Sequence, residues 1–328
     1  MTELEKSAYI LIRRRLAGSR AELARKLGVS RPTASSVCES LLEKNLICEC
    51  GKGKSTGGTA PTLLSVNKDV PGVIGIDFGY TDKMSAVLID GAGDIVSQQE
   101  ITFDPADLKS IIQSAGTLVS ELKKQGEVRG VALALSAVID ENSRRVLKSV
   151  NPLFCEAGFL PVLEAGLELP VFTANRSRAA AISEAFGGAA DREMDFALIS
   201  LGKSVGSAFW CGGRLFSGAA SAAGEIRNLR LQSNERLEDA LSRESVSACS
   251  REMILEKCAE ALGQIIDIMD FKLFVLSGRF ADFGSDFAPQ LEEKLESWHV
   301  KVRQAKFGRF SAARGSAFQM VEELVKSE

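Results

Sequence analysis

Polar side chains recur along residues 20–46 at spacings that suit contact with a nucleic acid. Within this stretch Ala34, Val37 and Leu41 fall at helical spacing and mark one inward face. The opposite face carries hydroxyl and guanidinium groups, which can hydrogen-bond to base edges in the DNA major groove. We therefore expect contacts with double-stranded DNA from Arg20, Ser30, Arg31, Thr33, Ser35 and Ser36.

Two short helices joined by a tight turn would position these groups. Gly28 is a turn residue that tolerates positive φ, Ser30 can cap the second helix, and Pro32 suits its first turn. This arrangement predicts a helix-turn-helix whose second helix enters the major groove, with a first helix of the same domain at residues 4–16. An ordinary helical hairpin is the alternative that this pattern leaves open.

A basic hairpin is predicted directly after the second helix. Residues 46–50 and 62–66 have the character of strands, and the segment GKGKSTGG between them carries Lys52 and Lys54. Beside a recognition helix, such a wing would bring both ammonium groups to DNA phosphates. A solvated Gly/Lys linker is the alternative, and the wing is favoured because the hairpin follows the helix without a gap.

The charge of the chain is unevenly distributed. The net charge of the 328 residues is −3, but residues 1–70 hold 12 Lys and Arg against 7 Asp and Glu, which leaves 28 against 36 in the other 258. A basic head on an acidic body suits a head that meets phosphates, although chance variation would look the same.

Several classes of protein are disfavoured by composition. The seven Cys include no C-x-x-C pair, which argues against a disulfide framework and a zinc site, and the single His299 argues against His-based catalysis. No apolar run reaches the ~18 residues of a membrane span, and no signal peptide precedes the first predicted helix. We expect a cytoplasmic protein without membrane contact.

The body repeats one order of elements. Residues 72–135 and 196–276 are each predicted to form a strand, a Gly-containing turn, two further strands, a helix and a strand. The repetition predicts a duplicated α/β fold with a cleft between its halves. Gly-rich hairpins facing that cleft would present backbone N–H groups to phosphate.

These features resemble the ROK family of repressors, open reading frames and sugar kinases. The resemblance covers nearly the whole chain and runs through residues 57–61, 75–81, 149–152, 170–184, 201–206 and 218–226. It implies a winged helix-turn-helix followed by a two-lobed actin-like ATPase (ribonuclease H-like) body. The expected domains are residues 1–70 for the head, 71–173 for the first lobe and 174–311 for the second, with a helix at about 312–328 packing back on the first lobe.

Departures from the family pattern fall on the residues of catalysis. The family's catalytic Asp, the general base on the sugar hydroxyl, falls on Arg176, and a guanidinium cannot accept a proton at usable pH. Tyr80 stands at a glycine of the first phosphate loop, Lys203 and Ser204 alter the second, and Arg279 replaces a glycine on the adenosine side. The resemblance therefore implies a body with no catalytic residue and no cofactor.

The family's zinc module is missing as well. Its His position is Asn228, and no Cys lies between Cys211 and Cys249. Since zinc needs several thiolate or imidazole ligands that converge, no metal site is expected.

Sugar-contact positions of the family survive in part. With Arg176 they would form an effector site for a small sugar or sugar phosphate, at Asn151, Asn175, Arg176, Glu225 and Glu238. A buried guanidinium needs an anionic partner. That partner is either a phosphate or carboxylate on the ligand, in a cleft made acidic by Glu225 and Glu238, or an internal carboxylate of Glu225 or Asp77.

These observations favour a DNA-binding transcriptional regulator, a repressor of carbohydrate genes with a degenerate kinase body. A homodimer is expected, because symmetric repressors double a short recognition site through a two-fold axis. Two alternatives stay open. One is an active ATP-dependent sugar kinase carrying a DNA-binding head, and the other is a DNA-binding dimer with a relic pocket, regulated by its abundance or by a protein partner.

Overall fold

Three short helices and a β-hairpin form the N-terminal part of the chain. This computed structural model describes residues 1–54, 60–78, 82–140, 143, 145–149, 151–202, 204–219 and 221–327, so that Tyr80 and Lys203 lie outside the described residues. The N-terminal elements are α1 (Glu3–Arg13), α2 (Arg20–Leu27), α3 (Arg31–Glu43), β1 (Ile47–Lys52) and β2 (Thr62–Val66), and the two strands pair antiparallel.

The local sequence explains where these helices begin and end. The Ser19 hydroxyl accepts a hydrogen bond from an α2 backbone N–H, and the Ser30 hydroxyl does the same for α3. Gly28 ends α2 in the left-handed conformation, with φ of 68°, which is a conformation that glycine adopts without strain. The chain therefore turns sharply between α2 and α3, at the glycine singled out in the sequence.

A small core holds the three helices together. Tyr9, Leu23 and Leu41 are fully buried in it, one from each helix. Beside it, the Glu5 carboxylate on α1 accepts hydrogen bonds from Lys44 and Ser40 at the end of α3. These donors, with Lys44 contributing most, lower the pKa of Glu5 from 4.5 to about 2. The carboxylate thus ties the first helix to the third while it is ionised.

The first large sheet is mixed. The next strands along the chain are β3 (Gly72–Asp77), β4 (Lys83–Ile89), β5 (Ile95–Thr102), β6 (Val128–Leu135), β7 (Ala137–Ile139), β8 (Val146–Ser149) and β9 (Val171–Asn175). Strands β7 and β8 form a separate antiparallel hairpin, while the other five assemble in the order β5-β4-β3-β6-β9. Within this sheet β3, β6 and β9 run parallel, and β4 is antiparallel to both of its neighbours.

The second large sheet repeats this topology. It contains β10 (Phe196–Leu201), β11 (Val205–Cys211), β12 (Arg214–Leu215), β13 (Leu273–Gly278) and β14 (Lys301–Gln304), in the order β12-β11-β10-β13-β14. Here too the first strand pairs antiparallel with the second and parallel with the fourth. The duplication predicted from the sequence is therefore present in the sheet order.

The remaining helices cover the sheets. They are α4 (Leu108–Lys123), α5 (Phe159–Leu167), α6 (Arg176–Ala185), α7 (Leu237–Ala240), α8 (Arg243–Ala248), α9 (Arg251–Met269), α10 (Phe287–Lys294) and α11 (Ser311–Ser327). Helix α11 packs on β3, β4 and β6 of the first sheet and crosses α6. The crossing is close, because a Cβ on Gly315 would lie 1.7 Å from the Ala179 carbonyl oxygen. Among the described residues, no helix is both long and apolar enough to cross a bilayer.

Two arginines at the end of α1 dock the N-terminal helices onto α11. Arg13 is 2% exposed, donates to the carbonyls of Gly91 and Phe318 at 3.1 and 3.0 Å, and lies 3.6 Å from the Phe318 ring centroid. Arg14 forms a two-bond ion pair with Glu322 on α11, at 2.7 and 2.5 Å. These contacts fix α1 against the body through charge-assisted hydrogen bonds.

Candidate functional site

The outward face of α3 is polar and open to solvent. Arg31, Thr33 and Ser36 are exposed, and Ser35 is half-buried. Ser30 is exposed too, but its hydroxyl accepts from the Thr33 N–H at 3.2 Å and lies 2.8 Å from the Thr33 hydroxyl. Ser30 and Thr33 are thus partly engaged in capping α3, whereas Arg31 and Ser36 present their polar groups outward.

The hairpin packs beside α3, because α3 contacts β1 directly. Lys52 is exposed at the end of β1 and donates to the Thr62 hydroxyl across the hairpin at 3.0 Å, while Lys54 is exposed just beyond. Arg20 at the start of α2 forms an ion pair of 2.9 Å with Glu49 on β1. The predicted DNA-contacting residues are therefore gathered on α2, α3 and the hairpin, with Arg20 already paired.

A cavity of about 210 Å³ lies between the two halves of the body. Its walls are the β7–β8 hairpin beside the first sheet, the first turn of α6, the start of β11 in the second sheet and the segment before Arg227. Of the predicted effector residues, Asn175, Arg176 and Glu225 line this cavity. Asn151 and Glu238 are not among the residues that line it.

Arg176 has an internal anionic partner. Its Nε atom lies 2.9 and 3.0 Å from the two carboxylate oxygens of Asp77, and its Nη1 donates to the Ser200 hydroxyl at 2.9 Å. Asp77 is 0% and Arg176 6% exposed. Of the internal carboxylates considered from the sequence, Asp77 is thus the one that pairs, while Glu225 pairs with Arg227 at 2.9 Å.

The two asparagines hold local structure. The Asn175 Oδ1 accepts from the Arg178 N–H at 3.1 Å as the cap of α6, and its Nδ2 donates to the Ala137 carbonyl at 2.8 Å. Asn151 caps a short 3-10 helix through the Leu153 N–H at 3.2 Å and donates to the Pro105 carbonyl at 2.7 Å. Both amides are therefore engaged by the backbone in this conformation.

Glu238 closes the turn between β10 and β11. Its Oε2 accepts from the Ser204 hydroxyl and from the Val205 N–H, both at 3.0 Å. It therefore supports the cavity wall from behind. The expectation of an acidic cleft is wrong for the described lining, where Lys148, Arg176 and Arg227 stand against Glu225.

Lys148, Ser177 and Arg227 line the cavity but were not predicted as site residues. Lys148 directly precedes the resemblance segment that starts at residue 149, and Ser177 follows Arg176 in the first turn of α6. Proximity to the predicted positions was a usable signal for both. Arg227 carried the same signal, because it directly follows the resemblance segment that ends at residue 226 and lies two positions after Glu225.

Comparisons with known proteins bear on this arrangement. The family model described as "ROK family" matches residues 73–249. The xylose repressor of Caldicellulosiruptor bescii is 27% identical over 214 residues, which are 63% of this chain and 53% of that protein. The chain thus spans about half the length of this curated relative.

Solved structures share the fold. A ROK family transcriptional regulator, described as a homolog of the E. coli protein Mlc, superimposes with a TM-score of 0.72 at 16% identity, covering 98% of this chain and 95% of that one. A ROK family glucokinase from Streptomyces griseus gives a TM-score of 0.64 at 19% identity, over 76% of this chain and 98% of that one. Because the family match spans more than half of the sequence, this chain belongs to the ROK family.

Proposed function

We propose that the chain is a sequence-specific DNA-binding repressor of sugar genes, with a winged helix-turn-helix head and a body that no longer phosphorylates sugar. The observation that carries the proposal is the exposed polar face of α3 beside a basic hairpin. The xylose repressor similarity supports the regulated class of genes. The fold of the ROK regulator supports the two-part plan, because its likeness extends over 98% of this chain, against 76% for the glucokinase.

In this proposal α3 enters the major groove with its N-terminal end first. Arg31 and Ser36, which are exposed on α3, would then face base edges, while the positive end of the helix dipole faces phosphate. Lys52 and Lys54 would lie along the neighbouring backbone. Base contacts supply sequence preference, and phosphate contacts supply affinity and orientation.

Arg31→Ala should weaken binding to the specific site by about 1–3 kcal/mol, because a bidentate Arg–guanine contact is worth that much. Lys52→Ala should weaken binding to all sequences alike and reduce the salt slope by about 1, because one phosphate contact is lost. Fluorescence anisotropy at several salt concentrations measures both effects. Exposed arginine and lysine on the body, in Arg192→Ala and Lys123→Ala, are matched controls. If neither head variant differs from its control, α3 and the hairpin do not bind DNA.

The proposed loss of catalysis follows from the ion pair in the cleft. The position of the family's general base holds a guanidinium, and that guanidinium is bound to Asp77. We expect no sugar phosphorylation above background over a panel of sugars with ATP. Arg176→Asp alone should not restore it, because Ser204 and Arg279 still depart from the nucleotide site and a second buried carboxylate would face Asp77.

A coupled ATP-consumption assay decides between repressor and kinase, with an authentic ROK glucokinase as positive control. The likeness to the glucokinase shows a shared fold, and this assay tests whether the chain has kinase activity. Turnover by the unmodified chain that depends on added sugar would establish the kinase alternative and overturn the inactive body.

The effector site in this proposal is the cavity between the two halves, for a small sugar or sugar phosphate. Its volume of about 210 Å³ is below the roughly 300 Å³ at which pockets for drug-sized ligands begin, so the ligand is small. A thermal-shift screen with sugars and sugar phosphates tests this site. If no ligand in the screen stabilises the chain, the result favours a repressor that is regulated by its abundance or by a protein partner.

The proposed assembly is a homodimer, formed through the body. One recognition helix reads a short site, and a two-fold axis would place two heads on half-sites about one DNA turn apart. We expect the mass of a dimer by light scattering at micromolar concentration. A monomer under these conditions, with and without DNA, would refute the assembly.

A further inference from the structure

The first turn of α6 opens into the cavity and carries one hydroxyl, that of Ser177. Ser177 is 8% exposed and lines the cavity, and no described residue hydrogen-bonds to its hydroxyl. Because Ser177 lines the cavity, water or a bound ligand can complete the hydrogen bonding of its hydroxyl. The Ser177 hydroxyl is therefore placed to bind a polar ligand.

Gly206 on β11 preserves the position of that hydroxyl. A Cβ atom on residue 206 would lie 2.2 Å from the Ser177 Oγ, which is far inside contact distance. Its φ is not in the left-handed region, so the backbone itself would accept alanine. Glycine at position 206 is therefore needed to leave room for the Ser177 hydroxyl, and the backbone conformation does not require it.

The charge around Ser177 favours an anion. Among the described lining residues, Arg176 is paired with Asp77 and Arg227 with Glu225, which leaves the exposed ammonium of Lys148 as the unbalanced charge. The N-terminus of α6, a helix of ten residues, adds about half a positive charge. Its first-turn N–H groups have no acceptor within the helix, and of these the Arg178 N–H is already bound by the Asn175 side chain. Together these groups can hold an anion of one to two charges.

We propose that this cavity binds a small sugar through an anionic group seated on the first turn of α6, with the Ser177 hydroxyl and Lys148 as its side-chain ligands. A phosphate monoester carries about −1.5 to −2 charges at neutral pH, and so matches the site better than a single carboxylate. Arg176 is not the anion ligand, because Asp77 already occupies its Nε edge. This inference rests on the proposed function, in which the cavity is the effector site of a repressor.

Calorimetry on the full chain tests the site with three kinds of probe. These are inorganic phosphate, a set of pentoses and hexoses with their phosphate monoesters, and the corresponding sugar acids, at constant ionic strength. We expect at least one phosphate monoester to bind roughly tenfold or more tightly than its neutral sugar, because charge-assisted hydrogen bonds are the strong ones. If a sugar acid binds more tightly than the corresponding phosphate, the cavity is still an anion site, and its ligand is a carboxylate.

Variants of the lining residues decide where the anion binds. Ser177→Ala, Lys148→Gln and Gly206→Ala should each weaken binding of the tightest anionic probe by roughly tenfold. The exposed residues of α4 supply matched controls, Ser120→Ala and Lys123→Gln, which should leave binding unchanged. Circular dichroism of each variant shows whether it is folded. If Ser177→Ala does not fold, Gly206→Ala still tests the space around the Ser177 hydroxyl.

Three results would overturn the inference. They are equal affinity for a sugar and its phosphate, no binding of any anionic probe at about 10 mM, and anion binding that is insensitive to all three lining variants. Anisotropy with DNA on the same samples separates the two proposals. Intact DNA recognition without an anion site removes only this inference, whereas an anion site in a chain that does not bind DNA removes the proposed function.

Discussion

Asp77→Asn should lower the free energy of unfolding by about 3–5 kcal/mol, because it takes the Asp77 carboxylate away from the buried Arg176 guanidinium. Both partners are almost fully inaccessible, and the ion pair joins the end of β3 to the start of α6. Removing one charge of such a pair costs far more than removing both. Chemical denaturation followed by circular dichroism measures the change.

The double variant Asp77→Asn with Arg176→Met isolates the cause. It removes the Arg176 guanidinium and replaces it with an apolar side chain of similar length, so most of the lost stability should return. Asp69→Asn is the matched control, since Asp69 is exposed. An Asp77→Asn variant as stable as this control, or a double variant no better than the single one, would contradict the buried ion pair.

Arg13→Ala should release the N-terminal helices from the body and cost roughly 3 kcal/mol or more. The substitution leaves the Gly91 and Phe318 carbonyls without their charged donor, and each such bond is worth about 1.5–3 kcal/mol. The stacking of the guanidinium on the Phe318 ring is lost as well. We expect faster hydrogen exchange in residues 1–70, with the body protected as before.

Arg25→Ala is the control for Arg13, because Arg25 is an exposed arginine on α2. The same exchange experiment reports on both. Equal protection of residues 1–70 in the Arg13 and Arg25 variants would show that the docking of α1 on α11 does not depend on this guanidinium. Intact DNA binding by Arg13→Ala would separate docking from recognition.

Local sequence rules predicted the parts of this fold that depend on neighbours along the chain. Gly28 and Ser30 marked the turn and the cap between α2 and α3, and both have these roles in the structure. The repeated order of strands predicted two sheets of one topology, which the strand orders match. These features follow from hydrogen-bonding and steric preferences over a few residues, so they can be predicted from the sequence alone.

The pairings inside the cleft were beyond such rules. Asp77 and Arg176 are 99 positions apart, and only the three-dimensional arrangement of the end of β3 and the start of α6 decides that Asp77 is the partner rather than Glu225. Glu238 was expected among the ligand contacts, yet it binds the backbone of the β10–β11 turn. Polar side chains have many possible partners, and tertiary structure selects among them.

The role of Arg13 at the end of α1 also depends on tertiary structure. Arg13 is the first of three consecutive arginines at the end of the first predicted helix. In the structure it is buried, and burial lowers the pKa of its guanidinium. Helical spacing places Arg13 on the buried face of α1 with Tyr9 and Ile12, whereas Arg15 is exposed, but only the tertiary structure supplies the partners of Arg13.

Selection from a random pool of duplex DNA by the full chain tests most directly whether α3 reads a DNA sequence. We expect enrichment of a two-fold symmetric motif with half-sites about 10 base pairs apart, and loss of enrichment at defined positions with Arg31→Ala. A pool that stays unenriched after repeated rounds at low salt, for a folded chain, would contradict it.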